Sequence, residues 1–130
     1  GKWRYVGNDG AYATGWIKVK GTWYYLHGNG DMATGWLKLG KTWYYLKGSG
    51  AMATGWLKLG KTWYYLKGSG AMATGWYQVG RTWYYSNGSG AMQANRWIGN
   101  YYVKSSGAMA TSQWIGRYHV NASGKWDKTR

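Results

Sequence analysis

Short runs of apolar and aromatic residues alternate with glycine-rich breaks along this chain, and inside each run the side chains follow the period-two pattern of a strand. Residues 36–39 and 43–46 are such a pair, separated only by Gly40-Lys41, a glycine-first dipeptide suited to a two-residue type II′ turn. With those residues at the turn, Leu39 faces Thr42, Lys38 faces Trp43, Leu37 faces Tyr44 and Trp36 faces Tyr45. Alternation then sorts Leu37, Leu39, Tyr44 and Leu46 onto one face, and Trp36, Trp43 and Tyr45 with Lys38 onto the other. The first face is read as a buried seam and the second as a working surface. No 3.6-residue apolar stripe occurs, so almost no helix is expected.

The hairpin recurs. Residues 33–52 and 53–72 are identical letter for letter, and tryptophans fall at 16, 36, 56 and 76 and again at 23, 43, 63 and 83, a period of 20 residues. A fixed period of this length predicts an all-β solenoid of stacked β-hairpins, not a globule with one core. Residues 1–130 are accordingly one repeat module. A half hairpin (1–12, with Trp3-Arg4-Tyr5-Val6 as its one strand) precedes full repeats at 13–32, 33–52, 53–72 and 73–92. Shortened repeats follow at 93–109 and 110–124. In these, Trp97 still faces Tyr102 and Ile98 faces Tyr101, but the equivalent of Trp43 is gone; the same holds around Trp114, where His119 replaces a tyrosine. Both are read as a cap, and residues 125–130 as a fraying end. Linkers such as residues 47–52 contain two glycines, which reverse the chain cheaply. Gly1-Lys2-Trp3 enters the repeat in its middle, which predicts a fragment of a longer protein with targeting signals upstream.

Composition sharpens the picture. With Trp 12, Tyr 14 and Gly 23 but no Phe, Pro or Cys, large flat aromatics replace branched aliphatics, and no disulfide or thiolate metal site holds the repeats together. The formal net charge is +14, with only Asp9, Asp31 and Asp127 as acids, so the surface attracts polyanions such as nucleic acid, anionic lipid or teichoic acid. No run reaches the roughly 18 apolar residues of a membrane span.

GWLKLGKTWYYLKGSGAMATGW, present with small changes from about residue 3 to 126, resembles the choline-binding or cell-wall-binding repeat of Gram-positive surface proteins and phage lysins. The resemblance implies a secreted, wall-attached module that binds choline headgroups of teichoic or lipoteichoic acid between consecutive hairpins. Each cage would take two tryptophans from one hairpin, an aromatic from the next, and a methionine. Carried over, the pairs are Trp16/Trp23, Trp36/Trp43, Trp56/Trp63 and Trp76/Trp83, and Met32, Met52, Met72 and Met92 fill the methionine position. Either tyrosine of WYY could be the third aromatic; the face assignment favours Tyr45, Tyr65 and Tyr85. Choline in teichoic acid is attached through phosphate, which Lys18, Lys38 and Lys58 could hold. Binding sites are expected only among the four long units, with Trp114 serving stability.

Physically, a cluster of electron-rich rings is a receptor for a quaternary ammonium, each contact giving about 0.5–2 kcal/mol, so function would come from several weak sites on one polymer. Tryptophan faces also stack on sugars, which keeps a glucan-binding module as an alternative, and an electrostatic polyanion binder as another. Nucleic-acid binding is placed third, behind choline and carbohydrate, because the basic residues recur at loop and turn positions and no nucleic-acid motif is present, so no specific nucleic-acid partner is expected. No cofactor is implied. Catalysis has no support either: the three acids lie in different units, and His27 and His119 lack neighbours at metal spacing.

Overall fold

The structure, a computed structural model, describes residues 13–130; the expected half hairpin at 1–12 lies outside the described residues. The described residues form thirteen strands and no helix. Long hairpins are made by β1 (Gly15–Val19) with β2 (Thr22–Leu26), β3 (Gly35–Leu39) with β4 (Thr42–Leu46), β5 (Gly55–Leu59) with β6 (Thr62–Leu66), and β7 (Gly75–Val79) with β8 (Thr82–Ser86). Short ones follow: β9 (Arg96–Ile98) with β10 (Tyr101–Val103), then β11 (Gln113–Ile115) with β12 (Tyr118–Val120), to which β13 (Trp126–Thr129) adds a third strand. The fold is thus all-β, built of repeated antiparallel hairpins.

Register follows from the turn. In β3–β4 the partners are Trp36↔Tyr45, Leu37↔Tyr44, Lys38↔Trp43 and Leu39↔Thr42, as the two-residue turn requires. Gly40 has φ +63°, the sign that a glycine-first type II′ turn needs at its first central residue. The first hairpin reverses the dipeptide to Lys20-Gly21 and gives both residues positive φ, 51° and 84°, the type I′ pattern that closes the same register.

Contacts group the chain into two compact units: residues up to Leu57 with Tyr65–Met72, and Lys58–Tyr64 with Ala73–Arg130. In the first, the linker after β4 is tied three ways. Lys47 N–H donates to Ala51 O, Ala53 N–H to Tyr45 O, and Met52 N–H crosses to Trp23 O of the preceding hairpin at 2.9 Å. Met72 N–H likewise donates to Trp43 O. In the second unit the corresponding bonds run from Met92 to Trp63 O, from Met109 to Trp83 O and from Trp126 to Asn100 O. These bonds satisfy backbone groups that a two-stranded sheet leaves unpaired, and they fix each linker on the hairpin before its own.

The end of each second strand is fully buried: Leu26, Leu46, Leu66, Ser86, Val103 and Val120 are all at 2% exposure or less. Ser86 breaks an aliphatic series. It is tolerated because Tyr77, standing where Leu37 stands in β3, turns its hydroxyl onto Ser86 Oγ at 2.8 Å in a buried hydrogen bond. Tyr77→Phe should therefore lower stability by about 1–3 kcal/mol through the lost partner of a buried hydroxyl. Replacing Tyr77 and Ser86 together by leucine, the residues of the β3–β4 and β5–β6 hairpins, should recover most of that loss in urea unfolding.

Residues 125–130 do not fray. Trp126–Thr129 pairs with β12 through Tyr118↔Thr129, His119↔Lys128 and Val120↔Trp126. Side chains reinforce it: the Arg130 guanidinium lies 4.5 Å from the Trp114 ring centroid, and His119 Nδ1 and Asp127 Oδ1 hydrogen-bond at 2.7 Å. The polar composition hid a strand whose partners are an indole, an imidazole and an edge of backbone.

Candidate functional site

Each long hairpin carries two indoles on one face, diagonal to each other across the strands. Trp16 and Trp23 stand at 88° with ring centroids 6.4 Å apart, and Trp36 and Trp43 at 89° and 6.3 Å. The tyrosine paired with the first tryptophan backs it: Tyr25 lies 5.1 Å from Trp16, Tyr45 5.1 Å from Trp36, Tyr65 5.0 Å from Trp56 and Tyr85 5.1 Å from Trp76. These tyrosines belong to the same hairpin as their tryptophan.

The ring that arrives from the next hairpin is the other tyrosine. Tyr44 sits 5.0 Å from Trp16 at 67°, and Tyr101 sits 5.5 Å from Trp76 at 67°. So the face read as a seam, with Leu37 and Tyr44, is laid across the aromatic face of the hairpin before it. Trp16, Trp23, Tyr44 and Met52, with Gly68 and Ser69, line a cavity of ≈ 340 Å³. Trp76, Trp83, Tyr101 and Met109, with Ser123, line another of ≈ 320 Å³. The second uses a tyrosine and a methionine of a shortened repeat, so cavities are not confined to the four long units. Met109 was not singled out from the sequence, although Gly107-Ala108-Met109 repeats the Gly50-Ala51-Met52 spacing.

The other expected residues are placed as follows. Met72 and Met92 are bonded through their backbone N–H groups to Trp43 O and Trp63 O. Met32 bridges Leu26 and packs against Gly50, in the manner of Met52 against Gly70. Trp23, Trp43, Trp63 and Trp83 are exposed at 37–40%. Lys18, Lys38 and Lys58 each hold Nζ 5.6–5.8 Å from the ring centroid of their cross-strand partner Trp23, Trp43 or Trp63. At the fourth hairpin the residue facing Trp83 is Gln78, which is neutral.

Chemically, the cavity at Trp16 offers two perpendicular π faces, a third ring and a polarizable thioether, and no carboxylate or amide side chain lines it. That set suits a weakly hydrated cation that needs no hydrogen bonds. A sugar needs several polar side chains to fix its hydroxyls, and Tyr44 and Ser69 are the only hydroxyl side chains in the lining. Among the described residues no group of three or more His, Cys, Asp or Glu could hold a metal ion.

Profiles of the choline-binding repeat match residues 13–55, 53–97 and 91–126. The chain belongs to the choline-binding repeat family. Solved choline-binding structures agree with it over nearly its whole length. Choline-binding protein F of Streptococcus pneumoniae, crystallised in the presence of a peptidoglycan analogue, is 48% identical with a TM-score of 0.90, covering 98% of this chain and 44% of that one. CbpJ of Streptococcus pneumoniae TIGR4 is 48% identical, TM-score 0.88, covering 97% and 45%. The modular autolysin LytC of Streptococcus pneumoniae is 38% identical, TM-score 0.80, covering 99% and 31%. The chain therefore spans less than half the length of these relatives. No curated protein matches it significantly. As a choline-binding repeat module, the chain presents exposed aromatic clusters, with Trp23, Trp43, Trp63 and Trp83 among its exposed side chains.

Proposed function

We propose that this module is non-catalytic and holds its parent protein on the cell wall by enclosing choline headgroups of teichoic or lipoteichoic acid. One observation carries the reading: two indoles, a tyrosine of the next hairpin and a linker methionine line a cavity at Trp16 and again at Trp76. The third wall of each site is Tyr44 or Tyr101, while Tyr45, Tyr65 and Tyr85 back the first tryptophan from within its own hairpin. Trimethylammonium fills such a cage because its methyl groups carry the positive charge outward onto the rings. Lys18, Lys38 and Lys58 take the phosphodiester that bears the choline.

Ammonium and phosphate contributions separate with salt. Exposed charges are screened over about 8–10 Å near physiological ionic strength, whereas enclosure by rings is short-range. Tryptophan fluorescence titrated with choline should show saturable binding that salt changes little, and glucan oligomers should give none. Binding to purified wall polymer should weaken with salt, and Lys38→Gln with Lys58→Gln should reproduce that weakening at low salt. Absence of free-choline binding, with polymer affinity that simply collapses in salt, would make the module an electrostatic polyanion binder.

A further inference from the structure

The shortened repeats lack a second tryptophan, and sequence alone reads them as a cap. The backbone says where the missing ring goes. In the hairpin of β7 and β8, Trp83 O accepts from Met109 N–H; in the hairpin of β9 and β10, Asn100 O accepts from Trp126 N–H at 2.8 Å. Asn100 thus stands where the second tryptophan stands, and Trp126 stands where the methionine stands. A second contact agrees: Val103 bridges Met109, and Val120 pairs with Trp126. The two positions have exchanged character, the indole leaving one wall and returning on another.

The result is a further aromatic cluster. Trp97, the first tryptophan of its hairpin, lies 5.8 Å from Tyr118 at 82°, and Tyr118 lies 5.8 Å from Trp126 at 84°. Tyr118 holds the place that Tyr44 and Tyr101 hold at the two cavities. Tyr118 and Trp126 are 41% and 44% exposed, so the cluster is accessible from solvent. Trp126 is also held in place, its Nε1–H donating to Lys128 O and Thr129 Oγ1, both at 3.1 Å. Of the nearby cations, Arg117 is engaged through Nε with the Arg130 carbonyl, and Arg130 covers the Trp114 ring at 4.5 Å. Trp114 thus already faces a cation of its own chain, whereas among the described residues no cation stands over the ring of Trp97, Tyr118 or Trp126.

We infer that Trp97, Tyr118 and Trp126 form an additional quaternary-ammonium site, in which an indole from the methionine position replaces the missing second tryptophan. Its ligand is the same trimethylammonium group proposed for the long repeats, and the inference rests on that reading for its chemistry but on different residues for its place. The number of choline equivalents the module takes up would then exceed what its paired tryptophans indicate.

The test uses the full chain and site-resolved indole N–H signals in nuclear magnetic resonance, titrated with choline chloride and, separately, with dimethylbutanol, its uncharged carbon isostere. Expected are saturable shifts at Trp97 and Trp126 with choline and far smaller ones with the isostere. Trp126→Met, which restores the residue of the other linkers and so keeps the fold, should weaken the response at Trp97 about 2- to 30-fold while leaving Trp16 and Trp23 unchanged. Trp97 and Trp126 signals that stay still while Trp16 and Trp23 saturate would overturn this site alone. Signals that stay still at all four would overturn it together with the choline reading. Equal shifts with the uncharged isostere would also overturn it, since they would mark an apolar cleft and not a cation site.

Discussion

Gly70→Ala should lose stability and a ligand site together, whereas Gly48→Ala should lose neither. Gly70 has φ +90°, a conformation that side chains rarely adopt, and a Cβ there would run into the Met52 sulfur. Backbone strain of this kind costs about 1–3 kcal/mol. Relief of the clash requires the Met52 thioether to move, and that thioether lines the cavity with Trp16, Trp23 and Tyr44. Gly48 has no positive φ, and nothing lies within 4 Å of a Cβ built on it. Urea unfolding combined with choline titration at the Trp16 and Trp23 signals would check both halves. A wild-type midpoint for Gly70→Ala would contradict the account of the linker.

Trp23→Ala should weaken choline at its cavity about 2- to 30-fold, with little change in stability, because Trp23 is 40% exposed and contributes a ring face more than buried area. Trp16→Ala should do more damage. Its ring touches Trp23, Tyr25 and, from the next hairpin, Tyr44, so its removal takes away a wall of the cage and a contact between hairpins. On a polymer that engages several cages at once, the loss of one site multiplies through the avidity, so wall-polymer retention should fall more than free-choline affinity. Trp114→Ala should instead lower the unfolding midpoint and spare choline binding, because its ring is engaged by His119 and Arg130. A loss of binding at Trp114→Ala equal to that at Trp23→Ala would place a ligand where the chain's own guanidinium sits.

Much of this was legible in the residues. Gly40-Lys41 fixed the register, and period-two alternation then assigned every pair from Trp36↔Tyr45 to Leu39↔Thr42. What alternation cannot supply is the relation between one hairpin and the next. It groups Tyr44 with Leu37 as seam, and only the packing reveals that this seam lies across Trp16. Tyr45 shares a face with Trp36 and so looked like a wall, but it is the cross-strand partner that supports Trp36 from within the hairpin. Trp126 escaped notice because it sits in a polar tail, although Gly124-Lys125-Trp126 keeps the spacing of Gly107-Ala108-Met109. Linker spacing, read as carefully as strand pattern, would have found it.

Identity between neighbouring repeats also sets a problem of kinetic fidelity. Strands β4 and β6 have the same sequence, TWYYL, so β3 could pair with either and form the same hydrogen bonds and side-chain contacts. Only the connection differs: residues 40–41 in the native hairpin, against the 22 residues 40–61 in the mispaired one. Loop-closure entropy favours the shorter connection by about 2 kcal/mol, or roughly 30-fold. Lengthening the turn would erode that margin, so insertions of a few flexible residues at Gly40-Lys41 should yield misthreaded and strand-exchanged molecules even though every native contact is still available. The tight turn thus acts as an error filter, letting a chain of near-copies fold without confusing them.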